Sequence, residues 1–243
     1  VSDRDELLVR AATRVGPEEG FLRARCSEVL AGLAPTSEAL EVLDERGEPA
    51  RVVDCEEALG VLDDLHVLAT PAAEPFCDYL TRAQRSDGAW VREGDDAEDA
   101  TILATAMIAG HLGKTRCVRP ACLECAGRYL APRWSPDRVQ GFVWESVAAW
   151  AHFFANVPHD LSDEGLQWCG RELERGYRAG RFDAVRCARV LIWCDGAAVP
   201  GGRLDAPELL AAVVAGVEAD ATSGETQPVS GGYDTLVALA RLP

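Results

Sequence analysis

Tyr79-Leu80-Thr81-Arg82-Ala83-Gln84-Arg85-Ser86-Asp87-Gly88-Ala89-Trp90 is the stretch on which the reading of this chain turns. It has the form aromatic, aliphatic, three residues, Gln, three residues, Gly, one residue, Trp, and weaker copies of it recur. Gln227-Pro228-Val229-Ser230-Gly231-Gly232-Tyr233 again spaces Gln, Gly and an aromatic, 143 residues after Gln84 and so about three periods of about 48. Tyr129-Leu130 repeats Tyr79-Leu80 fifty residues on, with Trp134 where Gln would stand and Gly141 and Trp144 beyond; Tyr177, Gly180 and Phe182 mark a further degraded unit.

Self-similarity at this period, in segments with helical spacing of apolar residues, predicts stacked helical hairpins. Apolar residues at three- and four-residue steps predict helices over 3–14, 18–33, 37–46, 53–69, 72–85, 97–113, 119–131, 141–156, 162–178, 181–194, 205–219 and 232–241. Gly, Pro and Asp punctuate the joints, notably at Pro71, Gly94, Pro136, Pro158 and Pro200-Gly201-Gly202. No strand-like alternation competes. The expectation is one all-α domain over residues 1–243, built of about five or six helical pairs. The segment Ala100–Leu112 is apolar nearly all round, as suits a helix packed on several sides, and 53–69, 141–156, 181–194 and 232–241 are its partners in register.

The Gln-Gly-Trp stretch resembles the QW motif of squalene-hopene cyclases and related terpenoid cyclases. The resemblance implies an α/α toroid, shared with protein prenyltransferase β subunits, in which Gln84 and Trp90 tie the end of one outer helix to the turn entering the next inner one. It implies a central cavity for an apolar, isoprenoid or other polyene substrate, with Trp144, Trp150, Phe153 and Trp193 as candidates to line it and Phe154 close by. Class II members of the family usually place their pocket between two helical domains. With room for one, this chain would need a partner subunit, a homo-oligomer or an unusually small substrate.

After the repeat comes Glu93-Gly94-Asp95-Asp96-Ala97-Glu98-Asp99, five carboxylates in seven residues at a predicted helix start. On one reading these are ordinary acids of a first turn, complementing the helix dipole at about 0.3–1 kcal/mol each. On the other, Asp96-Ala97-Glu98-Asp99 is similar to the DxDD acid motif of class II terpene cyclases. The resemblance then makes Glu98 the proton donor and Asp96 and Asp99 its supports, with Glu replacing the usual Asp in third place. Such an acid must keep its proton until an alkene arrives, which requires burial or crowding by other carboxylates. Asp95-Asp96-Ala97-Glu98-Asp99 also resembles the DDxxD motif of class I synthases, where a diphosphate substrate would bring Mg2+. The second metal motif of that class is missing, since the sole Asn, Asn156, is followed by Val157-Pro158. No cofactor is otherwise implied.

Acids also begin several of the helices expected to share a register: Asp54-Cys55-Glu56-Glu57, Glu98-Asp99, Glu145, Asp183 and Asp234. If those helices run parallel, the acids ring one mouth, though helix capping alone also predicts them.

A formal charge of −16 argues against a nucleic-acid surface, whose affinity rests on neutralising phosphates. No apolar run reaches the length of a membrane span. Nine cysteines without a charged-then-apolar leader point to a reduced, cytoplasmic protein with buried thiols. Cys117, Cys122 and Cys125 with His111 have partial zinc spacing but no second Cys pair. The zinc-binding toroid families are not matched, for no Asp-x-Cys occurs and no Cys or His follows Cys194 in the lanthionine-cyclase-like Trp193-Cys194-Asp195-Gly196. His66 and His152 fall on apolar helices, and Lys114 is the only lysine. The sequence leads to two expectations: an enzyme, a class II-like terpene cyclase starting by protonation from Glu98, or a non-catalytic toroid binding a hydrophobic ligand or a partner protein. The second predicts solvent-facing carboxylates over 95–99 and an interior filled by side chains.

Overall fold

The computed structural model describes residues 3–15, 20–95, 97–139, 144–223 and 232–243. The protein is all-α: among the described residues no strand occurs, and two isolated bridges, Arg92 with Asp95 and Ala198 with Asp205, only pin turns. In chain order the helices are α1 (Asp3–Ala12), α2 (Phe21–Leu30), α3 (Thr36–Glu45), α4 (Val52–Asp64), α5 (Glu74–Ala83), α6 (Glu98–Lys114), α7 (Pro120–Leu130), α8 (Pro136–Val139), α9 (Trp144–Asn156), α10 (Ser162–Arg178), α11 (Ala184–Trp193), α12 (Ala206–Ser223) and α13 (Gly232–Arg241).

Two helix sets alternate along the chain. α4 packs on α6, α6 on α9, α9 on α11, α11 on α13, and α13 on α2. The others each lie on members of that first set: α3 on α2, α5 on α4, α7 on α6, α10 on α9, α12 on α11 and α13, and α1 on α13 and α2. The closest pairing, α6 with α9, follows from two glycines. A Cβ on Gly110 would lie 2.2 Å from the His152 ring, and one on Gly113 would lie 2.3 Å from the Asn156 carbonyl oxygen.

The Gln-Gly-Trp stretch acts as a tie. Gln84 Nε2 donates to the carbonyls of Gly88 and Cys122, each at 3.0 Å, joining the end of α5 to its own turn and to α7. Trp90, fully buried, donates its indole N–H to the Leu80 carbonyl on α5 at 2.8 Å, and its backbone N–H to Thr105 Oγ1 on α6 at 3.1 Å. Gly88 (φ +96°) presses on α7, where a Cβ would sit 2.1 Å from the Cys125 carbonyl oxygen, so no other residue fits. Four segments are thereby fixed by six consecutive turn residues and one glutamine. In the copy at 227–233, Gln227–Gly231 lie outside the described residues and Tyr233 is buried; Gly141 of the middle copy lies outside them as well.

The predicted helices at 162–178 and 232–241 match, and most others differ only at their ends. The helix expected to run to residue 69 stops at Asp64, because His66 adopts a left-handed backbone (φ 58°) and folds the chain back, with its N–H on the Asp63 carbonyl and the Val67 N–H on Leu62. The expected start at 181 moves to Ala184, where the Asp183 carboxylate accepts the Arg186 N–H at 2.8 Å. The four-residue α8 begins at Pro136, a residue read from sequence only as a joint.

Replacing Trp90 by Phe keeps the ring in the core and leaves the Leu80 carbonyl with the Gln84 backbone N–H as its remaining donor. Urea unfolding is expected to show a loss of about 0.5–1.5 kcal/mol. A change within error would show that the indole N–H does not tie α5 to its turn.

Candidate functional site

The C-terminal ends of α4, α6, α9 and α11 meet in a cluster of polar side chains set inside apolar packing. The chain's single lysine and single asparagine both stand in it. Lys114, the last residue of α6, places its ammonium 2.6 Å from Asp63 Oδ1 on α4 and 3.0 Å from Asp195 Oδ1 just past α11. Asp63 and Lys114 have side chains only 4% and 9% exposed, whereas that of Asp195 is 54% exposed. The ion pair therefore runs from the interior to the surface. Asn156, the last residue of α9, donates Nδ2 to the His152 carbonyl at 2.8 Å and to the Trp193 carbonyl at 3.0 Å.

Between these ends lie His111 and His152, with ring centres 4.4 Å apart, and both face the Trp193 indole. His111 Nδ1 is 3.7 Å from Asp63 Oδ2, too far for a hydrogen bond, so Lys114 carries the direct pairing with that carboxylate. His111 Nδ1, His152 Nε2 and Trp193 Nε1 are buried without a hydrogen-bond partner. Burial by itself would raise the pKa of Asp63; the pull of His111 and of the Lys114 ammonium outweighs it and holds the carboxyl well below the usual carboxylate range. His152 moves the other way from a cation. Its burial first, and the neighbouring His111 second, lower its pKa well below the ordinary 6.5, so it stands neutral.

A second buried charge group adjoins the first. Asp64 receives Arg189 of α11 in two contacts, at 2.5 and 3.3 Å, and accepts from the Tyr233 hydroxyl of α13 at 3.1 Å. Arg189 also approaches Asp234 at 3.4 Å and lies 4.9 Å from the Trp193 ring centre. Burial works against the guanidinium's charge, and Asp64 and Asp234 more than restore it. Arg241, from the far end of α13, donates to the carbonyls of Asp63 and Asp64, closing the exposed end of α4.

Beside Asp195 the surface opens into a cleft of about 270 Å3 lined by His66, Leu191, Ile192, Asp195, Gly196, Ala197, Arg241, Leu242 and Pro243. His66 and Asp195 (φ 49°) are the two non-glycine residues with left-handed backbone among those described, and both stand on its rim. Each ends a helix where glycine is the unstrained choice. The chain thus keeps an imidazole and a carboxylate at this mouth, at some conformational cost.

The residues singled out from sequence are placed elsewhere. Glu98, expected from the resemblance to be the proton donor, has a side chain 61% exposed that lies between Arg133 and Arg138, at 3.5 and 3.6 Å. It lacks the burial that would hold a proton in place. Asp99 and Asp95 are exposed too, and Asp96 lies outside the described residues. Glu93 does not serve the following helix, for its carboxylate accepts the Val52 and Val53 N–H groups and caps α4. Of the other acids expected to ring a mouth, Asp54 is met by Arg51, Glu56 by Arg92, Glu57 by Arg46 and Asp234 by Arg189, Asp183 caps α11, and Glu145 is exposed.

Of the expected cavity aromatics, Trp150 and Phe153 face neighbouring side chains and not open space. Trp150 stacks on Phe154 at 5.4 Å and meets Trp134 at 5.0 Å, in a cluster that Trp168 of α10 completes; Phe153 packs on Trp150 and His159. Trp193 does reach the polar cluster, and Trp144 touches it from the side at 5.8 Å while donating its indole N–H to the Arg186 carbonyl. Among the described residues no group of three His, Cys, Asp or Glu side chains is arranged to hold a metal ion, so neither the Mg2+ nor the zinc reading gains a ligand set. His111 belongs to the polar cluster, and Cys125 Sγ meets Arg128 at 2.9 Å.

Composition held the overlooked signal. In a chain that otherwise uses arginine for its cations, the one lysine and the one asparagine both fall at helix ends in one cluster. No family model, curated protein or solved structure matches the chain. No helix among the described residues is long and apolar enough to cross a membrane.

Acid should unfold this protein in two windows. The unfolded chain protonates His152 near pH 6.5 and the native one does not, so its contribution is complete above that pH and falls away below it, by at most about 1.4 kcal/mol per pH unit. Asp63 has the lowered native pKa of a paired carboxylate, so its contribution persists down to about pH 4 and is lost below that. Thermal melts across pH 7.5 to 5 should drop for the native chain and drop less for His152→Gln. Equal slopes would show that His152 is not held neutral by the fold.

Proposed function

We propose that the chain is a non-catalytic α/α-toroid module that binds a small, largely apolar ligand with a cationic end in the cleft beside Asp195. The neighbour order α4, α6, α9, α11, α13, α2, each with a helix of the other set behind it, supports the toroid. So does the meeting of the first and last described helices, where Arg4 of α1 donates to the carbonyls of Leu239 and Leu242 at 2.7 Å and a Cβ on Gly232 would touch the Arg14 carbonyl.

The observation that carries the binding reading is the cleft itself. Leu191, Ile192, Leu242 and Pro243 supply apolar contact, and the half-exposed Asp195 carboxylate, shared with Lys114, supplies an acceptor in a lining that also holds Arg241. The chain's overall charge of −16 favours cationic over anionic ligands in general. Against proton-initiated cyclisation stand the exposure of Glu98 and the use of Trp150 and Phe153 in side-chain packing.

Geranylamine and geraniol, equal in chain length and different in charge, separate these readings. The amine is expected to shift the backbone amide signals of Gly196 and Ala197 and to bind at least about threefold more tightly than the alcohol, an advantage lost in Asp195→Asn. Equal binding of both probes, or shifts confined to other residues, would overturn the assignment. Incubation with squalene or with a linear prenyl diphosphate is expected to give no cyclised product. A product that disappears in Glu98→Gln would restore the enzyme reading.

A further inference from the structure

Cys77 on α5 and Cys117 in the turn between α6 and α7 bring their sulfur atoms to 2.9 Å, although 40 residues separate them in sequence. That is inside ordinary contact between two sulfurs and under 1 Å from the ~2.05 Å of a disulfide bond. Both are free thiols in the structure, Cys77 buried and Cys117 partly exposed. The pocket around them is built: the Thr115 hydroxyl donates to the Leu112 carbonyl at 2.8 Å and sits 3.7 Å from Cys77 Sγ, fixing the turn against α5. We propose that Cys77 and Cys117 form a reversible disulfide that staples α5 to the end of α6, a modification site opened by low-molecular-weight disulfides.

The two sulfurs have unequal roles. Cys117 is the one a reagent can reach. Burial first, and the neighbouring Cys117 second, push the Cys77 thiol up, so it keeps its proton while Cys117 reacts first. Cys117, as thiolate, attacks one sulfur of the small disulfide; that S–S bond breaks and one small thiol leaves with the proton Cys117 gave up. Cys77 then attacks Cys117 Sγ, the mixed disulfide breaks, and the second small thiol leaves with the Cys77 proton. Two protein thiols are oxidised by two electrons, and one small disulfide is reduced to two thiols.

The position gives the staple a structural reach. Cys117 stands three residues after Lys114, so a bond to α5 fixes the chain directly beyond the ammonium that bridges Asp63 and Asp195. Closing a loop of this size also removes freedom from the unfolded chain.

Titrating the full chain with oxidised glutathione at neutral pH, trapping with an alkylating reagent and mapping peptides by mass spectrometry tests the proposal. The expected product is one internal cross-link joining Cys77 to Cys117, reversed by reduced glutathione, with a melting temperature roughly 5–10 °C above the reduced form. Cys77→Ser should stop at the mixed disulfide on Cys117, and Cys117→Ser should leave Cys77 unmodified. A mixed disulfide as the final state of the unsubstituted chain, or a cross-link between other cysteines, would overturn it.

Discussion

One ammonium group sits between a carboxylate of one helix and a carboxylate just past another, and much of the structure depends on it. Lys114 ends α6, Asp63 belongs to the last turn of α4, and Asp195 follows α11. A buried carboxylate is tolerable only when its charge is met, and removal of one partner from such a pair costs about 3–5 kcal/mol. The approach of α4, α6 and α11 at this end is thus set by charge as well as by apolar contact. Arg241 and Arg189 extend the same logic, one closing the carbonyl end of α4 and the other answering Asp64.

Close packing around that pair needs backbone without side chains. Gly110 and Gly113 let α9 approach α6 until His152 and Asn156 fill the space that Cβ atoms would take. The histidines packed edge to face there leave ring nitrogens unpartnered, a burial cost that apolar residues of like shape would avoid. Such a cost is borne where polarity serves a purpose, and the cleft rim, with two side chains kept on left-handed backbone, adjoins it.

The helices were legible because their apolar spacing is regular, and the Gln-Gly-Trp stretch was legible because a tie among Gln84, Gly88 and Trp90 demands those residue types at those intervals. The polar cluster was not. Its members are separated by 132 positions, from Asp63 to Asp195, and no local spacing joins a helix end to the ends of three others. Charge density pointed instead to Glu93–Asp99, where neighbours in sequence crowd but Asp95, Glu98 and Asp99 face solvent, Glu93 caps α4 and Glu98 meets two arginines. His66 shows a smaller failure of the same kind, since a histidine gives no stop signal and only its left-handed backbone ends α4.

A double-mutant cycle on Asp63 and Lys114 tests the central claim most directly. Unfolding free energies of Asp63→Asn, Lys114→Met and the pair, measured by urea titration at pH 7, should give a coupling energy of at least about 1.5 kcal/mol, with the double variant more stable than the two single losses added together. Additive losses would contradict the account, since the two charges would then be buried side by side without depending on one another.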